Sequence, residues 1–176
     1  MKMDLSNRTI LITGSSDGIG KVLAIEFSKL GSNIILLGRD SSKLDQVYDQ
    51  LDRSFKSQKH LILQADLALL SNESAHEILR AITEEFISLD GIIHNAAILG
   101  SMTTLEDYEL SRWDEVLNIN LRAPFLLTKT LKTILERSKL PRIIFTSSGV
   151  ANIGRAFWGA YSVSKFGIKG LAEIFV

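Results

Sequence analysis

Five short runs of branched and leucine-rich residues, separated by longer amphipathic stretches, constrain the fold of this 176-residue chain more than any other feature. They are TILIT (Thr9–Thr13), NIILLG (Asn33–Gly38), HLILQAD (His60–Asp66), GIIHNA (Gly91–Ala96) and RIIFTS (Arg142–Ser147). Each is apolar almost throughout, without in-out alternation, which is the pattern of a strand covered on both faces. Strands that alternate with helices predict βαβ units and a doubly wound parallel sheet in a three-layer α/β arrangement. Between the runs, Leu44, Val47, Tyr48, Leu51 and Phe55 share one helical face, and Ala75, Ile78, Leu79, Ile82 and Phe86 share another. Ser41 or Ser42 is the expected cap of the first helix and Ser71 of the second. A stretch from about Ser111 to Arg137 reads as one long helix kinked at Pro124.

No repeat, low-complexity tract or linker breaks this pattern, so one domain with one core is expected over residues 1–176. Twenty basic side chains balance twenty acidic ones, leaving no net field to draw nucleic acid or an anionic membrane. The absence of cysteine rules out a disulfide framework or a thiolate metal site, and no metal is expected. The N-terminus MKMDLSNRTI has no apolar signal region. The most apolar window, Leu61–Leu70, is too short to span a bilayer and contains Asp66. A cytoplasmic protein follows from these features.

The first run leads into TGSSDGIG, Thr13 to Gly20, and then directly into a helical pattern. Strand, glycine turn and helix form the context in which a dinucleotide is bound. Gly14 permits a tight turn, Gly18 lets backbone approach a diphosphate, and Gly20 lets the helix pack closely on the strand, while Ser15, Ser16, Asp17 and Ile19 complete the loop. The free N–H groups at the helix start face the anion. Near the other end, Tyr161 and Lys165 in YSVSK stand four residues apart, so a helix stacks them on one face. An ammonium beside a phenol favours the phenolate, which makes the pair a candidate general acid or base. Ser148, just past the fifth run, can offer a hydroxyl to a carbonyl oxygen, and Ser147 competes for that role.

Together these residues resemble the short-chain dehydrogenase/reductase family. Thr13-Gly14-x-x-x-Gly18-Ile19-Gly20 matches its cofactor loop, and Asp66-Leu67 matches the pair bordering the adenine. Asn95-Ala96-Ala97 matches its Asn-Ala-Gly motif, with His94 and Ala97 departing from the usual Asn-Asn-Ala-Gly. Asn120, Ser148, Tyr161 and Lys165 match the catalytic tetrad in order and spacing, with Asn118 the neighbour of Asn120. The resemblance implies that Lys165 also bonds the nicotinamide ribose and that Asn120 kinks its helix and holds a water in a proton relay. It further implies hydride transfer between nicotinamide and a small carbonyl or alcohol substrate, with Tyr161 handling the proton, in a homodimer or homotetramer.

His94 is read as a strand-end side chain satisfied by a backbone group. Phe157 and Trp158 are read as core or interface packing ahead of a substrate pocket. The apolar stripe Phe125, Leu126, Leu127, Leu131, Ile134 and Leu135 exceeds what one buried face needs, which favours subunit pairing.

Cofactor choice rests on GRD, Gly38-Arg39-Asp40, at the end of the second run. Arg39 offers a planar fork suited to a 2′-phosphate, while Asp40 sits where it can cap the next helix. NADP(H) over NAD(H) is therefore expected, although Asp17 occupies a loop position where NADP-preferring relatives often carry a cation. The resemblance also implies a sixth strand, a substrate lid and a seventh strand beyond GLAEIFV, so the chain reads as truncated, with Ile174, Phe175 and Val176 exposed and the fifth strand an open edge. Two functions stay open on sequence alone: an NADP(H)-dependent oxidoreductase, or a catalytically poor nucleotide-binding or subunit-interaction module.

Overall fold

A computed structural model describes residues 4–175. Its parallel sheet has five strands, β1 (Thr9–Thr13), β2 (Asn33–Gly38), β3 (His60–Gln64), β4 (Gly91–His94) and β5 (Arg142–Phe145), in the order β3-β2-β1-β4-β5. The helices are α1 (Gly18–Lys29), α2 (Ser41–Tyr48), α3 (Asn72–Glu85), α4 (Leu110–Leu117), α5 (Ala123–Leu135) and α6 (Gly159–Ile174). Alternate residues of the central strands feed two separate cores. Leu11, Ile35, Leu37 and Ile92 pack with α3 and α5, whereas Ile10, Ile12, Ile34 and Leu36 pack with α1 and α2. Burial on both sides is why these strands are apolar at every position.

Strands β1 and β2 run as the sequence predicts, but each of the other three ends two residues early. After β4 the Asn95 and Ala96 N–H groups both turn to the Thr13 hydroxyl, 3.1 Å away in each case. After β3, Asp66 leaves the ladder and its carboxylate accepts the Ala68 N–H at 2.9 Å. Helix α2 is also shorter than expected. It ends at Tyr48, so Leu51 is buried from the following turn and Phe55 is exposed. Its cap is Asp40, as its place in GRD allows, with the carboxylate accepting the Lys43 N–H at 3.1 Å, and neither Ser41 nor Ser42. Carboxylate and hydroxyl both cap well, and the reach from Asp40 closes the helix one residue sooner. Ser71 caps α3 through a reciprocal bond pair with Ser74.

The expected single helix is in fact α4 and α5 joined by a π-helical segment, Asn118–Arg122, with the Ala123 N–H bonded to the Asn118 carbonyl. Pro124 has no N–H and removes the ordinary donor to the Asn120 carbonyl, so a wider turn is tolerated there. Five of the six stripe residues on α5, all but Phe125, are buried within this chain. The stripe therefore supplies mainly the internal core, with Phe125 left facing outward. Helix α6 lies against α4, the π segment and β5, and closes on the π segment at Gly167, where a Cβ would stand 2.8 Å from Leu121 Cδ2. Val176 lies outside the described residues. Ile174 is exposed as expected, but the Phe175 ring is partly covered, stacked 6.5 Å from that of Phe145.

Candidate functional site

Between β1 and β4 the strand order reverses, and the chain leaves their C-terminal ends in opposite directions, opening a crevice where nucleotides bind in such sheets. A cleft of about 460 Å³ occupies this place. Its lining includes Gly14, Ser16, Asp17, Gly18 and Ile19 of the glycine loop, Arg39 after β2, Asp66 and Leu67 after β3, and Asn95, Ala96 and Ala97 after β4. Ile98 and Ile119 also line it. The backbone of Gly14 is left-handed at φ 64°, and a Cβ there would meet Ala96 Cα at 2.8 Å. Gly18 is also left-handed, at φ 53°, yet a Cβ on it would have no neighbour within 4 Å. Space in front of a glycine at the start of α1 fits a bound diphosphate, as an anion needs close backbone and free N–H groups.

Two loop residues serve the scaffold instead of the cleft. Ser15 is fully buried, with its hydroxyl donating to the Leu37 carbonyl at 3.4 Å. Gly20 keeps the loop closed, because a Cβ there would stand 2.3 Å from the Gly14 oxygen and 2.7 Å from Asn95 Nδ2. Its close approach is thus to the loop and Asn95, not to the strand. Asn95 in turn donates from Nδ2 to the Thr13 and Gly14 carbonyls at 3.2 and 3.3 Å. The β1 and β4 walls are therefore stitched by side chains where the ladder stops.

Tyr161 and Lys165 do lie on one face of α6, with Nζ 5.6 Å from the phenol ring centroid. Lys165 is buried and its ammonium donates to the Thr146 carbonyl at 2.6 Å, which ties α6 to the end of β5. Loss of hydration pushes the Lys165 pKa down. Ser148 is half-buried at the start of a 3₁₀ turn, Gly149–Ala151, while Ser147 is exposed. The Ser162 hydroxyl bonds the Val150 carbonyl at 3.2 Å and fixes that turn against α6 next to Tyr161. Trp158 is half-buried with its ring 5.9 Å from that of Tyr161.

Asn120 is buried in the π segment. Its Oδ1 accepts the Ile98 N–H at 2.9 Å, and its Nδ2 donates to the Ile98 carbonyl at 2.9 Å and to Ser164 Oγ at 3.0 Å. Ser164 Oγ donates to the Tyr161 carbonyl at 2.7 Å. A continuous chain of contacts thus runs from Ile98 in the cleft wall through Asn120 and Ser164 to the backbone of Tyr161. Ser164 was not foreseen; its position inside YSVSK was the only available signal. Tyr108 also serves the scaffold. Its hydroxyl accepts the Ser101 N–H at 3.1 Å, and its ring fills the space beside Gly100 and Gly159, pinning the loop after β4 to the start of α6.

His94 differs from expectation in its partner. Nε2 lies 2.8 Å from the Thr128 hydroxyl, a side chain and not a backbone group, and the ring stacks on Phe145 at 4.9 Å. Burial drives its pKa down to about 3. Phe157 is 56% exposed, with left-handed backbone at φ 68°, so it is not core. It borders an apolar cavity of about 500 Å³ with Leu105, Val163 and Phe166, on the side of α6 away from Tyr161 and Lys165.

The fold has close counterparts. The family model for short chain dehydrogenase matches residues 8–175. The uncharacterized oxidoreductase YciK of Escherichia coli is 37% identical over 174 residues, covering 98% of this chain and 69% of the relative. A short chain dehydrogenase from Escherichia coli CFT073, solved in complex with NADPH, superposes with a TM-score of 0.93 at 36% identity, covering 99% of this chain and 73% of that one. The NADPH-dependent pterin aldehyde reductase of Arabidopsis thaliana is 31% identical, covering 94% of this chain and 66% of the relative. The chain belongs to the short-chain dehydrogenase family, a family of oxidoreductases acting on small molecules. It spans from about half to just over two thirds of the length of the curated relatives it matches. Among the described residues, no helix is long and apolar enough to cross a membrane.

Proposed function

We propose that this chain acts in an NADP(H)-dependent oxidoreductase, one that moves hydride between the nicotinamide and the carbon of a small carbonyl or alcohol substrate. One observation carries this reading: a buried lysine lies under a tyrosine ring, and contacts through Ser164 and Asn120 join the backbone of that tyrosine to the wall of the cleft. When bound, the cofactor supplies or accepts the hydride. Gly14, Gly18 and the start of α1 hold its diphosphate, Asp66 and Leu67 border its base, and Asn95, Ala96 and Ala97 form the wall along which it lies. Tyr161 gives or takes the proton on the substrate oxygen. Lys165 places an opposite charge where negative charge develops on the phenol, and Ser148 donates a second hydrogen bond to the substrate oxygen. Asn120 holds the π turn and Tyr161 in register.

NADP(H) is preferred because Asp40 is engaged as the cap of α2, leaving Arg39 as the group facing a 2′-phosphate. The structural relatives from Escherichia coli CFT073 and Shigella flexneri bind NADPH and NADP, which supports the same choice. We place the protein in the cytoplasm as a single nucleotide-binding domain, assembled as a homodimer or homotetramer. Titration with NADPH, followed by turnover against a panel of ketones, aldehydes and alcohols, tests the reading. Tyr161→Phe is expected to lose about a hundredfold or more in turnover while NADPH affinity stays within about twofold. Full activity in that variant removes the assignment, and binding by the wild type without turnover on any substrate leaves a nucleotide-binding module.

A further inference from the structure

The charges lining the cleft do not suit its proposed ligand. Two carboxylates, Asp17 and Asp66, stand against one guanidinium, Arg39, so the lining carries one net negative charge. NADP(H) brings a diphosphate and a 2′-phosphate to it. Asp66 is distant in role, since its carboxylate is occupied by the Ala68 N–H. Asp17 is the nearer problem. It sits in the glycine loop, its side chain is 80% exposed, and its Oδ1 accepts the Gly18 N–H at 2.7 Å, which fixes the carboxylate at the mouth of the cleft. That bond also takes up one of the N–H groups at the start of α1.

Lys43 answers this charge from outside the lining. It stands in the first turn of α2, where the Asp40 cap holds its backbone, and its Nζ lies 3.7 Å from Asp17 Oδ2. Among the described residues the Arg39 side chain enters no ion pair, so the two cations have separate partners to serve. Building on the NADP(H) reading above, we propose that Lys43 is a specificity-determining residue that acts through Asp17. By cancelling that carboxylate it lets Arg39 present an uncompensated positive charge to the 2′-phosphate. The geometry explains how an acid is tolerated in the loop of an NADP(H) site: the countercharge comes from the next βα unit.

The effect is electrostatic and local, so it has a defined signature. Removing Lys43 exposes Asp17 to the phosphate and lowers affinity for NADPH, with little change for NADH. Neutralising Asp17 as asparagine, which still caps α1, makes Lys43 dispensable. Fluorescence titrations of NADPH and NADH at low ionic strength test this on the full chain, with thermal melts confirming that each variant folds. Lys43→Ala is expected to weaken NADPH about three- to fivefold and NADH less than about twofold, a gap that closes near 1 M salt. Asp17→Asn in the Lys43→Ala background is expected to restore NADPH affinity to within about twofold of wild type. An unchanged NADPH-to-NADH ratio in Lys43→Ala overturns the proposal. So does a loss that persists in the double variant, which would mean that Lys43 touches the phosphate itself. Arg39→Ala, titrated alongside, tests the underlying reading separately: a wild type without NADPH preference, or a preference untouched by Arg39→Ala, rejects the NADP(H) assignment itself.

Discussion

Burial makes His94 a titrating group that never titrates near neutrality in the native protein. A histidine in the unfolded chain takes up a proton near pH 6.5, whereas the native ring, pushed down to about 3, stays neutral. Below pH 6.5 the unfolded state therefore binds more protons than the native state, and stability falls as pH falls until about pH 3. For one proton the slope is about 1.4 kcal/mol per pH unit, or about 2 kcal/mol between pH 7 and pH 5. His94→Asn installs the residue usual at this place in the family motif and removes that contribution. Urea unfolding of both proteins at pH 7 and pH 5 should show the wild type losing about 2 kcal/mol more than the variant. Parallel losses would show that His94 is not buried as neutral imidazole. Carboxylates such as Asp90, held low by hydrogen bonds from Thr9, Ser138 and Arg8 that outweigh its burial, also weaken on acidification, but equally in both proteins.

At the scale of elements, the decisive unit is the junction of the π segment, α6 and the loop after β4. Ser164 gives Asn120 one of its three hydrogen bonds in a buried setting. Ser164→Ala leaves a buried amide donor without that partner and should cost about 1–3 kcal/mol in urea unfolding. In a double-mutant cycle with Asn120→Ala the two losses should fall short of additivity by about 1 kcal/mol, and strict additivity would deny the contact. Sequence revealed this junction only in part. The residues of β1 and β2 and the glycine loop were legible because continuous apolar runs and glycine spacing are local signals. Tyr161 and Lys165 were legible because a single helix places them. The π register was legible only as a kink at Asn120 or Pro124, since its form depends also on the Asn120 side chain reaching Ile98, twenty-two positions away in the chain. The stripe on α5 misled for a similar reason: an amphipathic pattern reports that a face is buried but not which molecule buries it. Phe55 and Phe157 were overvalued because aromatic identity alone says nothing of local backbone, left-handed at Phe157 and beyond the end of α2 at Phe55.

For the whole molecule, two of the apolar surfaces left uncovered bear on assembly. One joins α4, the π segment and α5 to α6, where Leu117, Leu121, Phe125 and Leu171 border a cavity of about 630 Å³. The other is the edge of β5, which among the described residues pairs with β4 alone, with Ile144 half exposed. If the first face forms the proposed dimer, Phe125→Glu should yield monomers in sedimentation runs at about 10 μM, while Ile144→Lys should keep the dimer and reduce aggregation at the edge. The reverse pattern would move the interface to the sheet edge. The reversal of strand order has a further consequence for how the protein becomes competent. The cleft exists only along the seam where β1, from the first third of the chain, meets β4, and its two banks belong to halves that must dock before any pairing across it can form. A partly assembled molecule is accordingly blind to nucleotide, and protection by NADPH against heat or protease reports that the two halves have closed.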